Sequence, residues 1–79
     1  MMKERSRMDA MTAVKESVSM LDTMQREPTN FEAGVLETVT RQLQKGRLPS
    51  ANQHRILCEM IEKYLRDPAL LKTMQGVAP

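Results

Sequence analysis

Pro28 to Leu65 reads PTNFEAGVLETVTRQLQKGRLPSANQHRILCEMIEKYL, a run with two helix starts and a helix stop between them. Thr29-Asn30-Phe31-Glu32 has the form of a capping box. In such a box the threonine hydroxyl accepts from the amide three residues on, and the glutamate reaches back to the cap amide. Behind it, Phe31, Val35, Leu36, Val39 and Leu43 recur at helical spacing and are expected to point inward. Gly46 is the stop, because glycine takes the left-handed conformation that closes a helix without steric cost. After the Leu48-Pro49 turn, Ser50-Ala51-Asn52-Gln53 repeats the box. It opens a third helix with Ile56, Leu57, Met60, Ile61, Tyr64 and Leu65 on the widest apolar face of the chain. Leu57, Met60, Ile61 and Tyr64 are expected to meet Leu36, Val39 and Leu43 of the second helix. Gly34 costs that helix about 1 kcal/mol relative to alanine, and marks either a close helix approach or nothing.

Ahead of Pro28, the residues Met11, Val14, Val18 and Leu21 are spaced 3-4-3, with Met8 and Met24 flanking them. This is the seam of an amphipathic or coiled-coil helix. It lasts barely two heptads, too short to be stable alone, so it must pack on something. Pro28 ends this segment by disfavouring helical geometry in the residue before it. Beyond Leu65, Asp67 reads as an N-cap with Pro68 at the first helical position. Leu70, Leu71 and Met74 give a short last helix to Gly76, and residues 77–79 are expected to fray. No segment alternates with period two, and no Asn-Gly or Asp-Gly hairpin signal occurs. The expectation is an all-α fold, a small three- to four-helix bundle forming a single domain over 1–79. Its helices are placed at about 4–25, 30–45, 51–66 and 68–75.

A chain of 79 residues makes one domain at most. A core of this size supplies only about 3–5 kcal/mol without covalent or metal staples. Cys58 is the single cysteine and cannot form an internal disulfide, and no Cys/His cluster has zinc-ligand spacing. No metal and no cofactor are expected. No apolar run approaches the roughly 18 residues of a membrane span, and the basic start Met1–Arg7 leads into an amphipathic pattern. A cytoplasmic location without membrane contact is therefore the expectation. The net charge of +2 comes from twelve basic and ten acidic residues that are interspersed, unlike the concentrated basic stripe of a nucleic-acid binder.

With one phenylalanine, one tyrosine and no tryptophan, the chain has few large groups for a core. Helices two to four are expected to bury one another, with the third at the centre. The seam of Met8, Met11, Val14, Val18, Leu21 and Met24 is then read as a partner-binding surface. Through it the chain pairs with its own copy as a two-fold homodimer, the commonest closed assembly. The alternative is that this seam folds back inside one chain.

His54, Cys58 and Glu62 fall four residues apart on one helix stripe. A Cys–His nucleophile pair needs contact, a third orienting group and oxyanion donors. Adjacent turns of one helix can bring the two near, but no oxyanion donors are evident, so no catalytic residues and no enzyme activity are expected. The plainer reading is a half-exposed helix face in which Cys58 packs as a small hydrophobe. Arg41, Lys45, Arg47, His54 and Arg55 gather around the turn between helices two and three. With Asn52 and Gln53 they have the chemistry of a helix-turn-helix reader. Complementing the dipole at a helix end explains Lys45 and Arg47 more cheaply.

The stretch Leu36 to Gln53, LETVTRQLQKGRLPSANQ, resembles a helical hairpin that recurs in small bacteriophage and plasmid proteins. The shared pattern is an apolar helix ending in a Gln-containing turn, a glycine, a leucine and serine, and a glutamine on the next helix. Here Pro49 stands between Leu48 and Ser50. The resemblance implies a phage or mobile-element origin, where small helical proteins bind and inhibit host proteins, and it carries over no functional residues. The favoured function is a non-enzymatic protein-protein interaction module, an inhibitor or adaptor of a host protein. The alternative is a small nucleic-acid-binding regulator acting through Arg41, Lys45, Arg47, Asn52, Gln53 and Arg55.

Overall fold

The computed structural model describes residues 7–24 and 27–78. Four α-helices make up the chain in order: α1 (Arg7–Asp22), α2 (Asn30–Gln44), α3 (Ala51–Met60) and α4 (Pro68–Gly76). A π-helical segment, Ile61–Leu65, runs straight on from α3. No strand occurs among the described residues.

Local chemistry accounts for most of the boundaries. At the start of α2, Thr29 Oγ1 accepts from the Glu32 amide at 3.1 Å, and Glu32 Oε1 accepts from the Thr29 amide at 2.9 Å. At the start of α3, the same exchange joins Ser50 and Gln53 at 3.2 and 2.9 Å. Each box satisfies two amides that a helix leaves without partners. Asp67 caps α4 by accepting from the Leu70 amide at 3.1 Å. The end of α2 is a Schellman motif. Gly46 sits at φ +75°, its amide bonds the Leu43 carbonyl, and the Arg47 amide bonds the Gln42 carbonyl, both at 2.9 Å. Thr29→Ala and Ser50→Ala are each expected to lower stability by about 0.5–2 kcal/mol in urea denaturation.

Two boundaries differ from those expected. α1 stops at Asp22, not at Gln25. The Thr23 amide is shared between the Ser19 and Met20 carbonyls, each at 3.2 Å, and the Thr23 hydroxyl also bonds Met20 O at 3.1 Å. Such competition from a threonine hydroxyl loosens the last turn. Residues 4–6 and 25 of the expected first helix lie outside the described residues. The third helix keeps its α register only to Met60. The Arg66 amide then bonds the Ile61 carbonyl, five residues back, at 2.7 Å, and Arg66 closes the segment at φ +52°. Ile61 thus belongs to an element that packs on α1, α3 and α4, whereas Leu57 and Met60 belong to α3, which does pack on α2.

The core corrects the expected arrangement. α1 packs on α2, α3, α4 and the π segment, while α2 and α4 do not pack on each other. α3 is central as expected, and α1 shares that place with it, packing on every other element. Its buried face is Ala13, Val14, Ser17, Val18 and Leu21, broader than the 3-4-3 seam. Small side chains at 13 and 17 let neighbouring helices approach on both sides, and Ser17 satisfies its hydroxyl on Ala13 O at 2.9 Å. Leu36, Val39 and Leu43 of α2 complete the core with Ile56, Leu57, Met60, Ile61, Leu70 and Met74. Of the three residues expected to fray, Val77 is half-buried against this cluster, Ala78 is exposed, and residue 79 lies outside the described residues. Gly34 faces open space, with nothing within 4 Å of a Cβ placed there, and so marks no close helix approach.

Phe31 is not in the core. It is 66% exposed. The stripe of Leu36, Val39 and Leu43 extends back one turn to position 32, not 31. Glu32 therefore takes the inward-facing place, and Phe31 is carried to the outside.

Candidate functional site

Glu32 follows the chain's only phenylalanine in sequence and is hydrogen-bonded to its only tyrosine. Glu32 is a capping residue whose side chain is 13% exposed. Its Oε1, already bonded to the Thr29 amide, also accepts from the Tyr64 hydroxyl at 2.5 Å. Its Oε2 lies 3.4 Å from Lys63 Nζ, and that ammonium sits 4.9 Å from the centre of the Tyr64 ring. One carboxylate thus joins the first turn of α2 to the π segment. Phe31 projects beside this knot, with half-buried Val35 one turn further along α2. Sequence reasoning missed the arrangement. Glu32 and Tyr64 are 32 positions apart, and no local pattern connects them.

The Tyr64 hydroxyl is the main cause that holds the Glu32 carboxyl below its ordinary value of 4.5, with the Thr29 amide and Lys63 adding to it. A depressed folded-state pKa contributes stability that is complete above the unfolded value and is lost as pH falls through the folded one. Tyr64→Phe removes the main cause. Its stability deficit relative to the parent chain is therefore expected to be constant above about pH 5 and to shrink as the pH is lowered below 4.5. Urea midpoints measured across that range give the answer, and a deficit that grows with acid contradicts the assignment.

The residues expected to bind a partner are placed differently. Val14 and Leu21 are 1% exposed and Val18 is 6% exposed, all within this chain's own core. The seam folds back inside one chain, because α1 has neighbours on all its apolar sides. Met11 and Met24 are half-buried against the same core, and Met8 lies outside the residues whose side chains are described. Between the end of α1 and the outer side of α2 runs an open groove of about 590 Å³. Leu21, Met24, Pro28 and Leu36 form its apolar part, and Asp22, Glu37 and Arg41 its charged rim.

The basic turn is dispersed by local pairing. Arg41 forms an ion pair with Glu37 at 3.4 Å, and Arg55 donates to Glu59 at 2.6 Å and to Asn52 Oδ1 at 2.7 Å. The Gln53 side chain closes the α3 capping box. Lys45 and Arg47 are exposed at the C-terminal end of α2, where cations complement the helix dipole.

His54 does not belong to a half-exposed face. It is 4% exposed, and its Nε2 lies 2.7 Å from the Met74 carbonyl, so the ring donates to the last turn of α4. Cys58 is half-buried, and burial, helped by the Glu59 charge, pushes its thiol above the ordinary range. Such a thiol is a poor nucleophile at neutral pH. Glu62 is exposed in the π segment. Among the described residues no group of three or more His, Cys, Asp or Glu side chains is placed to hold a metal ion. No described helix is long and apolar enough to cross a membrane.

Comparison with known proteins found no matching family model, no matching curated protein and no matching solved structure.

Proposed function

We propose that this chain is a non-enzymatic protein-interaction module that meets its partner at the edge carrying Phe31. The observation behind this reading is the 66% exposure of a lone phenylalanine in a chain with so few large side chains to fill a core. Exposed aromatic side chains on a rigid helical edge are the usual anchors of protein interfaces. Val35, half-buried, lies one turn further along α2, and Glu32, next to Phe31 in the chain, bonds half-buried Tyr64 and exposed Lys63. This edge replaces the α1 seam as the contact surface, since the seam is already covered. The resemblance of residues 36–53 to phage and plasmid hairpins favours a host protein as the partner, with the chain acting as its inhibitor or adaptor. A second copy of the chain competes for the same edge.

The test compares the full chain with Phe31→Ser, a change that leaves the core intact and is expected to shift the thermal midpoint little. Affinity capture from a lysate should retain a partner on the parent chain and lose it at least about tenfold on the variant. Sedimentation equilibrium at micromolar concentration examines the second copy, a dimer that Phe31→Ser reduces to a 9.0 kDa species. Equal retention and equal mass for both proteins contradict the reading. Affinity for duplex DNA that falls steeply with salt favours a nucleic-acid role instead.

A further inference from the structure

Two uncommon backbone features occur together at the end of α3. The first is the π segment Ile61–Leu65, whose closing bond runs from the Arg66 amide to Ile61 O at 2.7 Å. The second is Arg66 at φ +52°, a left-handed conformation that a side chain with a Cβ resists. Nothing in the composition Ile-Glu-Lys-Tyr-Leu requires this, since these residues continue an α-helix readily. An α-helical continuation would bond Arg66 N to Glu62 O instead, while the chain must in either case leave the helix before Pro68, which keeps Asp67 extended. Pro68 accounts for the helix ending here but does not choose between a π and an α last turn. The hold that the structure offers is the Glu32 carboxylate, bonded at once to the Tyr64 hydroxyl and to Lys63, two consecutive residues of the segment.

The segment also governs the placement of α4. Changing between π and α registers shifts each later residue by about one position around the helix axis, roughly 100°. α4 begins two residues beyond the segment and packs on it, on α1 and on α3. The seating of α4 on α3 carries its own marker, the His54 Nε2 bond to Met74 O. We infer that Ile61–Leu65 is a register switch, latched in its π form by the Glu32–Tyr64–Lys63 contact, and that the latch sets the seating of α4. A ligand or partner that takes the Tyr64 hydroxyl away from Glu32 would release it. The latch shares Tyr64 and Lys63 with the edge around Phe31 but does not use Phe31 itself, so Phe31→Ser tests the contact surface and Tyr64→Phe tests the latch.

Amide hydrogen exchange on the full isotope-labelled chain tests it with two variants. Tyr64→Phe removes the hydroxyl. Arg66→Gly removes the resistance to the left-handed conformation and so favours the π form. In Tyr64→Phe the Arg66 amide should exchange about tenfold faster relative to Leu57, and the His54 ring NH signal should shift. In the double variant, Tyr64→Phe with Arg66→Gly, both should return toward the parent values. Three results overturn the inference. One is an Arg66 amide or a His54 signal unmoved by Tyr64→Phe. Another is an Arg66 amide that accelerates only in step with Leu57, which means the segment opens with the whole fold. The third is a double variant no closer to the parent than Tyr64→Phe alone.

Discussion

Val18→Asp is expected to leave the chain largely unfolded in water at neutral pH. Val18 is 6% exposed, between α1 and its neighbours, so the substitution buries a carboxylate beside Val14 and Leu21, with a cation, Lys15, exposed on the rim of the groove that Val18 lines. Leaving an uncompensated charge in a packed interior costs on the order of 3–5 kcal/mol. A small core without staples supplies about the same amount in total. Far-UV circular dichroism should show most of the helical signal lost and no cooperative thermal transition. If position 18 faced solvent or a second copy, the variant would keep its helices and melt near the parent midpoint.

Leu57→Ala should be nearly as damaging by a different route. Leu57 is fully buried on α3, which packs on α1, α2, α4 and the π segment. With packing on every side, the neighbours have little freedom to collapse into the space left behind. Leucine-to-alanine changes in such surroundings cost about 2–5 kcal/mol, the upper end where the cavity stays open. Urea titration should place the midpoint at half the parent value or lower. A loss below about 0.5 kcal/mol would contradict the filled core described for α3.

The helices were legible because their starts and stops are written in short local codes. Thr29 with Glu32, Ser50 with Gln53, Asp67 with Pro68, and Gly46 each act within a few residues. What the sequence concealed is non-local. Only part of α1's buried face is hydrophobic enough to count in a periodicity search. Ala13 and Ser17 supply the rest by being small, and a serine on that face reads as polar. A small residue directly before each of Val14 and Val18 was the available sign of a helix with neighbours on two sides. Phe31 misled for the opposite reason. Hydrophobicity placed it inward, whereas the phase of Leu36, Val39 and Leu43 places Glu32 there. The phase was readable, but it required accepting a glutamate at a core-facing position. Pro68 marked where the helix had to end, but no local pattern marked the π register at Ile61–Leu65.

The packing of α1 on α4 also bears on how the chain is made. A ribosome releases α1 first and α4 last, at roughly 5–20 residues per second. α2 and α3 are neighbours in sequence and can pair as soon as both have emerged. The apolar face of α1 lacks its full cover until α4 arrives. Closing that contact brings together distant parts of the chain and comes after the local pairings. During this interval the nascent protein carries an uncovered apolar stripe on α1, the kind of surface that holdase chaperones bind and that drives association between nascent chains.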